Sequence, residues 1–232
     1  MKQEKYKHIY FDLDRTLWDF DSNARETFLE IYENRNLDSI FGSFEAFYST
    51  YNKYNDILWK KYREGNIEKS VLRWKRFALT LEEFGVTNNQ LAELIGDDYV
   101  NISPTKKQLL PYVHETLSYL KNNYRLYIIT NGFSEIQADK LKNCNLDQYF
   151  AGLITSEDAG AQKPNPIIFE HALKIANAKN NECLMVGDDL ETDILGAKNT
   201  GIDQVFFNTD NIKHSETITY EINSLLELCK LL

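Results

Sequence analysis

Cysteine, proline and histidine are scarce in this chain of 232 residues, which has three, four and four of them. The cysteines, Cys144, Cys183 and Cys229, are odd in number, far apart and without the close spacing of a metal site. They argue against a disulfide framework and lead us to expect reduced thiols in a cytoplasmic protein. No apolar run approaches the roughly 20 residues that span a bilayer. The polar start MKQEKYK leads within a few residues into a strand-like run, so neither a membrane span nor a secretory signal is expected. A basic stripe is lacking too. The formal net charge is −9, and the mildly basic stretch KKYREGNIEKSVLRWKRF is interrupted by acids and reads at helical period as a solvated face. A nucleic-acid polymer is therefore not an expected partner. A small anionic substrate stays compatible, because local charge and bound metal override net charge.

What is present is an ordinary globular composition, 43% hydrophobic and 26% charged, long enough for a core domain with a smaller companion. Apolar, β-rich runs recur at HIYFDL, RLYIIT, FAGLIT, ECLMVG and QVFFN. From the second onward they alternate with the helical patterns SEIQADKLKN, NPIIFEHALKIAN and ETDILGAKNTG, which predicts a parallel α/β sheet. The tail EINSLLELCKLL is amphipathic and is expected to close the fold as a final helix. Between the first two strands lies a long stretch with apolar residues at three- and four-residue spacing, and Pro104 and Pro111 bracket the return to the α/β part. The expected architecture is a Rossmann-like open parallel sheet, residues 1–17 with 108–232, carrying an inserted α-helical domain over 18–107.

The first strand ends in two acids one residue apart, Asp12 and Asp14, in HIYFDLDRTLWDF. A buried parallel strand does not carry carboxylates unless they are paired, solvated or metal-bound. Ligands of open parallel sheets sit beyond the carboxyl ends of the strands. There the sequence places Asp12-Leu-Asp14-Arg-Thr16, then Thr130-Asn131-Gly132, then Lys163-Pro164, then Gly187-Asp188-Asp189 with Asp193 one turn later. This inventory suits a divalent metal and a phosphate. Carboxylates supply hard oxygens for Mg²⁺, a threonine hydroxyl holds a phosphate oxygen, a lysine adds a point charge, and a carboxylate can take the phosphoryl group itself. Each motif alone has a plainer reading. Asp14 could cap a turn, Thr130-Asn131-Gly132 could be a simple turn, Lys163 could be a solvated lysine, and Asp188, Asp189 and Asp193 could serve the helix that follows. Their weight comes from occurring together.

In this order and at these strand ends, YFDLDRTLWDF, IITNGFSEIQADKL, AGAQKPNPIIFEHAL and VGDDLETDILGAKNTG resemble the haloacid dehalogenase-like superfamily over the whole chain, with a helical cap of its first subfamily. The resemblance implies that Asp12 is the nucleophile and that Asp14 protonates the leaving oxygen and then activates water. The Asp12 carboxylate, the Asp14 backbone carbonyl and Asp188 would hold Mg²⁺. Thr130 and Asn131 would hold the phosphate, and Lys163 would neutralise it and orient Asp12. Asp189 and Asp193 are both placed to support the metal's ligands, and the sequence does not choose between them. Arg15 departs from the small or acidic residue expected there and is expected to turn to solvent. His8, His114, His171 and His214 match no role.

Asp14 disfavours dehalogenation, since a halide leaving group needs no proton. A phosphonate hydrolase would need a cap lysine for an imine, and nothing singles out Lys53, Lys60, Lys61 or Lys69. A mutase of the family would have to retain the phosphoryl group and exclude water, which sequence does not show, and phosphate monoester hydrolysis is the reading best supported. DLDRTLWDFDSN, TNGFSEIQADKL and Arg76-Phe77 resemble the pyrimidine 5′-nucleotidase branch, which implies a nucleoside 5′-monophosphate as partner; a monomer or homodimer is expected. Trp18 and Phe20, beside the catalytic loop, are expected to line the substrate pocket, whereas most of Tyr48, Tyr51, Tyr54, Trp59 and Trp74 are expected to build the cap's own core. Other readings are a phosphatase of phosphoglycolate or a sugar phosphate, and a catalytically quiet binder of a phosphorylated ligand or a protein.

Overall fold

The computed structural model describes residues 5–232. Six parallel strands form one sheet: β1 (His8–Phe11), β2 (Arg125–Thr130), β3 (Phe150–Thr155), β4 (Cys183–Gly187), β5 (Asp203–Phe207) and β6 (Tyr220–Ile222). Their order is β3-β2-β1-β4-β5-β6. β1 lies at the centre, with His8 opposite both Arg125 and Cys183, and Phe11 opposite both Ile128 and Val186. The chain reverses its direction of travel across the sheet between β1 and β4, and the carboxyl ends at such a switch point open a crevice.

The strands are apolar on both sides because helices cover both sides. Period-two alternation sends Ile9, Phe11, Leu126, Ile128, Leu184 and Val186 to one face. There they meet α6 (Val113–Leu120) through Val113, Leu117 and Leu120, and α7 (Ser134–Asn143) through Leu141. Tyr10, Tyr127, Ile129 and Met185 point the other way, onto Ile168, Phe169, Ala172 and Ala176 of α9 (Pro166–Ala176), which follows the single-turn α8 (Ser156–Ala159). Asn165 caps α9, its side chain accepting from the Ile167 N–H, and Pro166 at the first turn gives up an N–H that has no helical partner.

The chain divides into two compact units, one made of the residues up to Phe20 with Lys107–Leu232 and the other of Asp21–Lys106. The second unit is helical: α1 (Phe20–Asn34, whose first residue belongs to the sheet unit), a short α2 (Asp38–Phe41), α3 (Phe44–Arg63), α4 (Lys69–Glu83) and α5 (Asn89–Ile102). Rings knit it together. Phe28 packs against Phe47, Tyr51, Phe77 and Tyr99, with centroids 4.2 to 6.0 Å away. Arg76 is buried beside the Tyr51, Phe77 and Tyr99 rings and donates from Nη1 to Asn55 Oδ1 at 2.8 Å.

Three local expectations are corrected. The tail does not form one amphipathic helix. Tyr220–Ile222 add the edge strand β6, and only Leu228–Leu231 are α-helical, although Leu225 and Leu228 do reach the core. The helical pattern after β4 splits into a π-helical segment, Leu190–Leu195, and α10 (Gly196–Asn199). The boundary of the insertion falls after Phe20, because Trp18 pairs with Leu109 and its ring is fully buried in the sheet's core. Among the described residues, no helix is long and apolar enough to cross a membrane.

Candidate active site

β1 delivers Asp12 at the switch point, and the Asp12 N–H donates to the Val186 carbonyl at 2.9 Å, extending the ladder by one residue. The chain then folds back tightly. Leu17 and Trp18 N–H groups both donate to the Leu13 carbonyl, and Arg15 takes a left-handed φ of 65° at the bend. That bend is what lets two acids one residue apart leave the alternating geometry of a strand. Arg15 is exposed, with its guanidinium 4.4 Å from the Phe20 ring.

Lys163 is the hub. Its side chain is 2% exposed, and the ammonium donates to Asp12 Oδ1 at 2.5 Å, Asp193 Oδ1 at 2.6 Å and the Ile129 carbonyl at 2.9 Å. All three of its hydrogens are used. Burial alone would lower its pKa, but Asp12 and Asp193 more than offset this and hold it above the ordinary lysine value, so it stays charged. Asn131 fixes the lysine's main chain from both sides. Oδ1 accepts from the Lys163 N–H at 2.7 Å, and Nδ2 donates to the Lys163 carbonyl at 3.0 Å. The Asn131 carboxamide thus holds the lysine's main chain in place.

Asp12, Asp188 and Asp193 bring carboxylate oxygens within 4.8 Å of one another. Burial pushes the Asp12 carboxyl well above the carboxylate range, Lys163 pulls it back, and Asp193 and Asp188 push again. Asp188 is pushed up to about 7, first by burial and then by Asp193, against Thr16 and Lys163. The Thr16 hydroxyl donates to Asp188 Oδ1 at 2.9 Å. One ammonium faces three acids here, and Asp12 Oδ2 is not engaged by Lys163. A cluster of hard oxygens short of positive charge fits a divalent cation such as Mg²⁺.

The structure separates Asp189 from Asp193. Asp189 Oδ1 accepts from the Glu191 and Thr192 N–H groups at 2.9 and 2.8 Å, capping the segment that follows. That segment opens with a wide turn, the Ile194 N–H reaching back to the Asp189 carbonyl at 3.2 Å, and the turn carries Asp193 inward to Lys163. Gly187 makes room for it. A Cβ at Gly187 would collide with the Asp193 carboxylate.

Asp14 sits apart from the acid cluster. Oδ1 accepts from Lys140 at 2.5 Å and Oδ2 from Gln137 Nε2 at 2.9 Å. The two donors lie three apart on α7 and so share one face. Gln137 Nε2 also reaches Thr130 Oγ1 at 2.7 Å, which accepts the Gly132 N–H at 3.0 Å as well. With two donors on the oxygen, Thr130's own hydrogen is free to be given to a ligand. The sequence alone assigns no role to Gln137, Lys140 or Thr16, although all three lie inside the motifs. The available signal was the i, i+3 spacing of a polar pair on an otherwise core-facing helix.

Trp18 is the clear correction. Its side chain is 0% exposed, and the Lys140 ammonium stands 3.8 Å from its ring centroid. It therefore offers no open surface to a substrate and instead supports the lysine that holds Asp14. Phe20 is half-buried, edge-on to Trp18 at 6.2 Å.

A model of the haloacid dehalogenase-like hydrolases matches residues 6–201. The chain belongs to this family. Within it, similarity extends over 98% of this chain and 98% of pyrimidine 5′-nucleotidase YjjG of Escherichia coli, at 35% identity. Pyrimidine 5′-nucleotidase PynA of Streptococcus pneumoniae is 31% identical, over 96% of this chain and 93% of its own. The solved structure of the HAD-hydrolase YfnB from Bacillus subtilis, described as bound to magnesium, superimposes with a TM-score of 0.90 at 28% identity, covering 98% of this chain and 99% of that one. The resemblance to the haloacid dehalogenase-like hydrolases, including the pyrimidine 5′-nucleotidase branch, is thereby borne out, as is the Rossmann-like parallel fold.

Proposed function

We propose that this hydrolase cleaves small phosphate monoesters with Mg²⁺, carrying the phosphoryl group on Asp12, and that its substrates are pyrimidine nucleoside 5′-monophosphates. The observation that carries the reading is the pairing of two differently held acids. Asp12 is fixed by a buried lysine inside an acid cluster, and Asp14 is held outside that cluster by Lys140 and Gln137. A dehalogenase has no use for the second acid; an ester with an alkoxide leaving group does.

The steps follow from these positions. Lys163 holds Asp12 by Oδ1, which leaves Oδ2 to attack phosphorus. As the Asp12–phosphorus bond forms, the bond to the ester oxygen breaks, and Asp14 gives that oxygen a proton. Water then attacks the phosphoryl group, Asp14 takes its proton, and inorganic phosphate leaves as the Asp12 carboxylate is regenerated. Thr130 donates its hydroxyl hydrogen to a phosphoryl oxygen, and the Lys163 ammonium offsets charge on the same group. Asp12, Asp188 and the Asp14 backbone carbonyl would hold Mg²⁺, which supplies charge neutralisation for an anionic nucleophile meeting an anionic ester. Asp193, with Oδ1 on Lys163 and Oδ2 on the Asp189 N–H at 3.2 Å, is assigned to support these ligands, and Asp189 to capping.

Preference for pyrimidine monophosphates rests on the two nucleotidase relatives, and Phe20 is assigned to the border of the substrate site. Three free thiols support a cytoplasmic setting. The test is phosphate release, with Mg²⁺ and with chelator, across pyrimidine and purine monophosphates, sugar phosphates and phosphoglycolate. Fastest Mg²⁺-dependent release from pyrimidine monophosphates is expected. A sugar phosphate preferred over them would overturn the substrate, and no metal-dependent release from any ester would overturn the chemistry.

A further inference from the structure

The reaction occupies the carboxyl ends of the strands; a second polar feature lies at their amino ends. His8 and Arg125 sit opposite each other where β1 and β2 begin. Beside them is an open cleft of about 500 Å³, whose lining includes Lys7, His8, Lys121, Asn122, Asn123 and Arg125. That volume lies in the range of small-molecule sites. Three cations gather here in a chain of net charge −9. Lys7 is paired with Glu182 at 2.6 Å, and Lys121 donates to the Gln148 carbonyl at 2.6 Å. Neither Lys121 nor Arg125 has a carboxylate partner among the described residues. His8 is only 8% exposed, yet its buried Nδ1 has no hydrogen-bond partner.

Cations near helix C-termini complement the helix dipole, and that accounts for Lys121, which follows α6. It accounts neither for Arg125, at the start of a strand, nor for a buried ring nitrogen left unsatisfied. A ligand that takes up the Arg125 guanidinium would be anionic. Arg and Lys together match a phosphate monoester, whose charge at neutral pH is about −1.5 to −2, better than a single carboxylate. We propose that this cleft binds a small phosphate-bearing molecule, with Arg125 and Lys121 on the phosphate oxygens and the His8 ring in the wall beside them. The site is separate from the catalytic one, at the other end of the same two strands.

The chain has only four histidines, so nitrogen-15 NMR of their imidazoles reads His8 directly, with His8→Gln assigning its signals. The full chain would be titrated in chelator with inorganic phosphate and, separately, with adenosine diphosphate. Saturable movement of the His8 signals is expected while those of His171 stay fixed. In the double variant Lys121→Gln/Arg125→Gln the dissociation constant should rise at least about tenfold, since two charge-assisted contacts are lost. Its Mg²⁺-dependent phosphate release should match the wild type, which keeps this site distinct from the catalytic proposal. Tighter binding of the diphosphate identifies an organic ligand, and equal or tighter binding of phosphate identifies the free ion. Unmoved His8 signals with both probes, or a double variant that binds as tightly as the wild type, would overturn the proposal.

Discussion

Replacing Lys163 by Met leaves the chain length and most of the side-chain volume in place but removes the cation between Asp12 and Asp193. Those two acids and Asp188 then share a buried cluster with no ammonium. Removing one partner of a buried ion pair typically costs about 3–5 kcal/mol, because the remaining charge is stranded. Protonation relieves that cost, so the loss depends on pH in a definite direction. The carboxyls of Asp12 and Asp193 already titrate above the ordinary range because of burial, with Lys163 restraining the shift. Without Lys163 they rise further. A group whose pKa is raised by folding gives stability that is complete below the unfolded value and is lost as pH climbs through the folded value. The Lys163→Met protein should therefore be destabilised by about 3 kcal/mol or more at pH 8 in chelator. It should regain as much as about 1.4 kcal/mol per pH unit for each extra proton held as pH falls toward 6. Urea unfolding of both proteins at pH 6 and 8 measures this. A difference below about 0.5 kcal/mol at both pH values, or one that does not shrink on acidification, would refute the role given to the buried ammonium.

Other consequences follow from the same contacts. With its pKa pushed up to about 7, Asp188 should cost the metal-free protein about 1.4 kcal/mol of stability between pH 6 and 8. Mg²⁺ should bind more tightly across that interval with release of a proton, which calorimetry in buffers of different ionisation enthalpy detects. Asn131→Ala removes both hydrogen bonds to the Lys163 main chain and should cost about 1–3 kcal/mol. It should lower kcat with little change in KM, as steady-state kinetics would show. Lys140→Met frees one oxygen of Asp14 and should slow alkyl phosphates far more than nitrophenyl phosphate, whose leaving group needs no proton.

The parts of the site legible in the sequence were those written next to one another in the chain. Asp12 and Asp14 announce themselves because acids are out of place at the end of a buried strand, and Gly187-Asp188-Asp189 does so for the same reason. Contacts between distant segments were not legible. Gln137 and Lys140 lie 123 and 126 residues from the Asp14 they hold, and nothing local pairs them with it. Asp189 and Asp193 could not be ranked, because a π-turn and an α-turn read alike in residue type yet aim residue 193 differently. Trp18 is not legible because an aromatic residue beside a catalytic loop looks the same in sequence whether it lines a pocket or supports it; the 0% exposure decides. β6 is three residues inside a polar tail, too short for a period to register.

The central claim is that a phosphoryl group passes through the side chain of Asp12. Quenching the enzyme during turnover with Mg²⁺ and a pyrimidine monophosphate, reducing any acyl phosphate with borohydride and mapping the peptides by mass spectrometry tests it most directly. Conversion of the Asp12 carboxyl to the corresponding alcohol, dependent on substrate and absent in Asp12→Asn, is the predicted result. Steady turnover with Asp12 unmodified, or with the label on another residue, would contradict it.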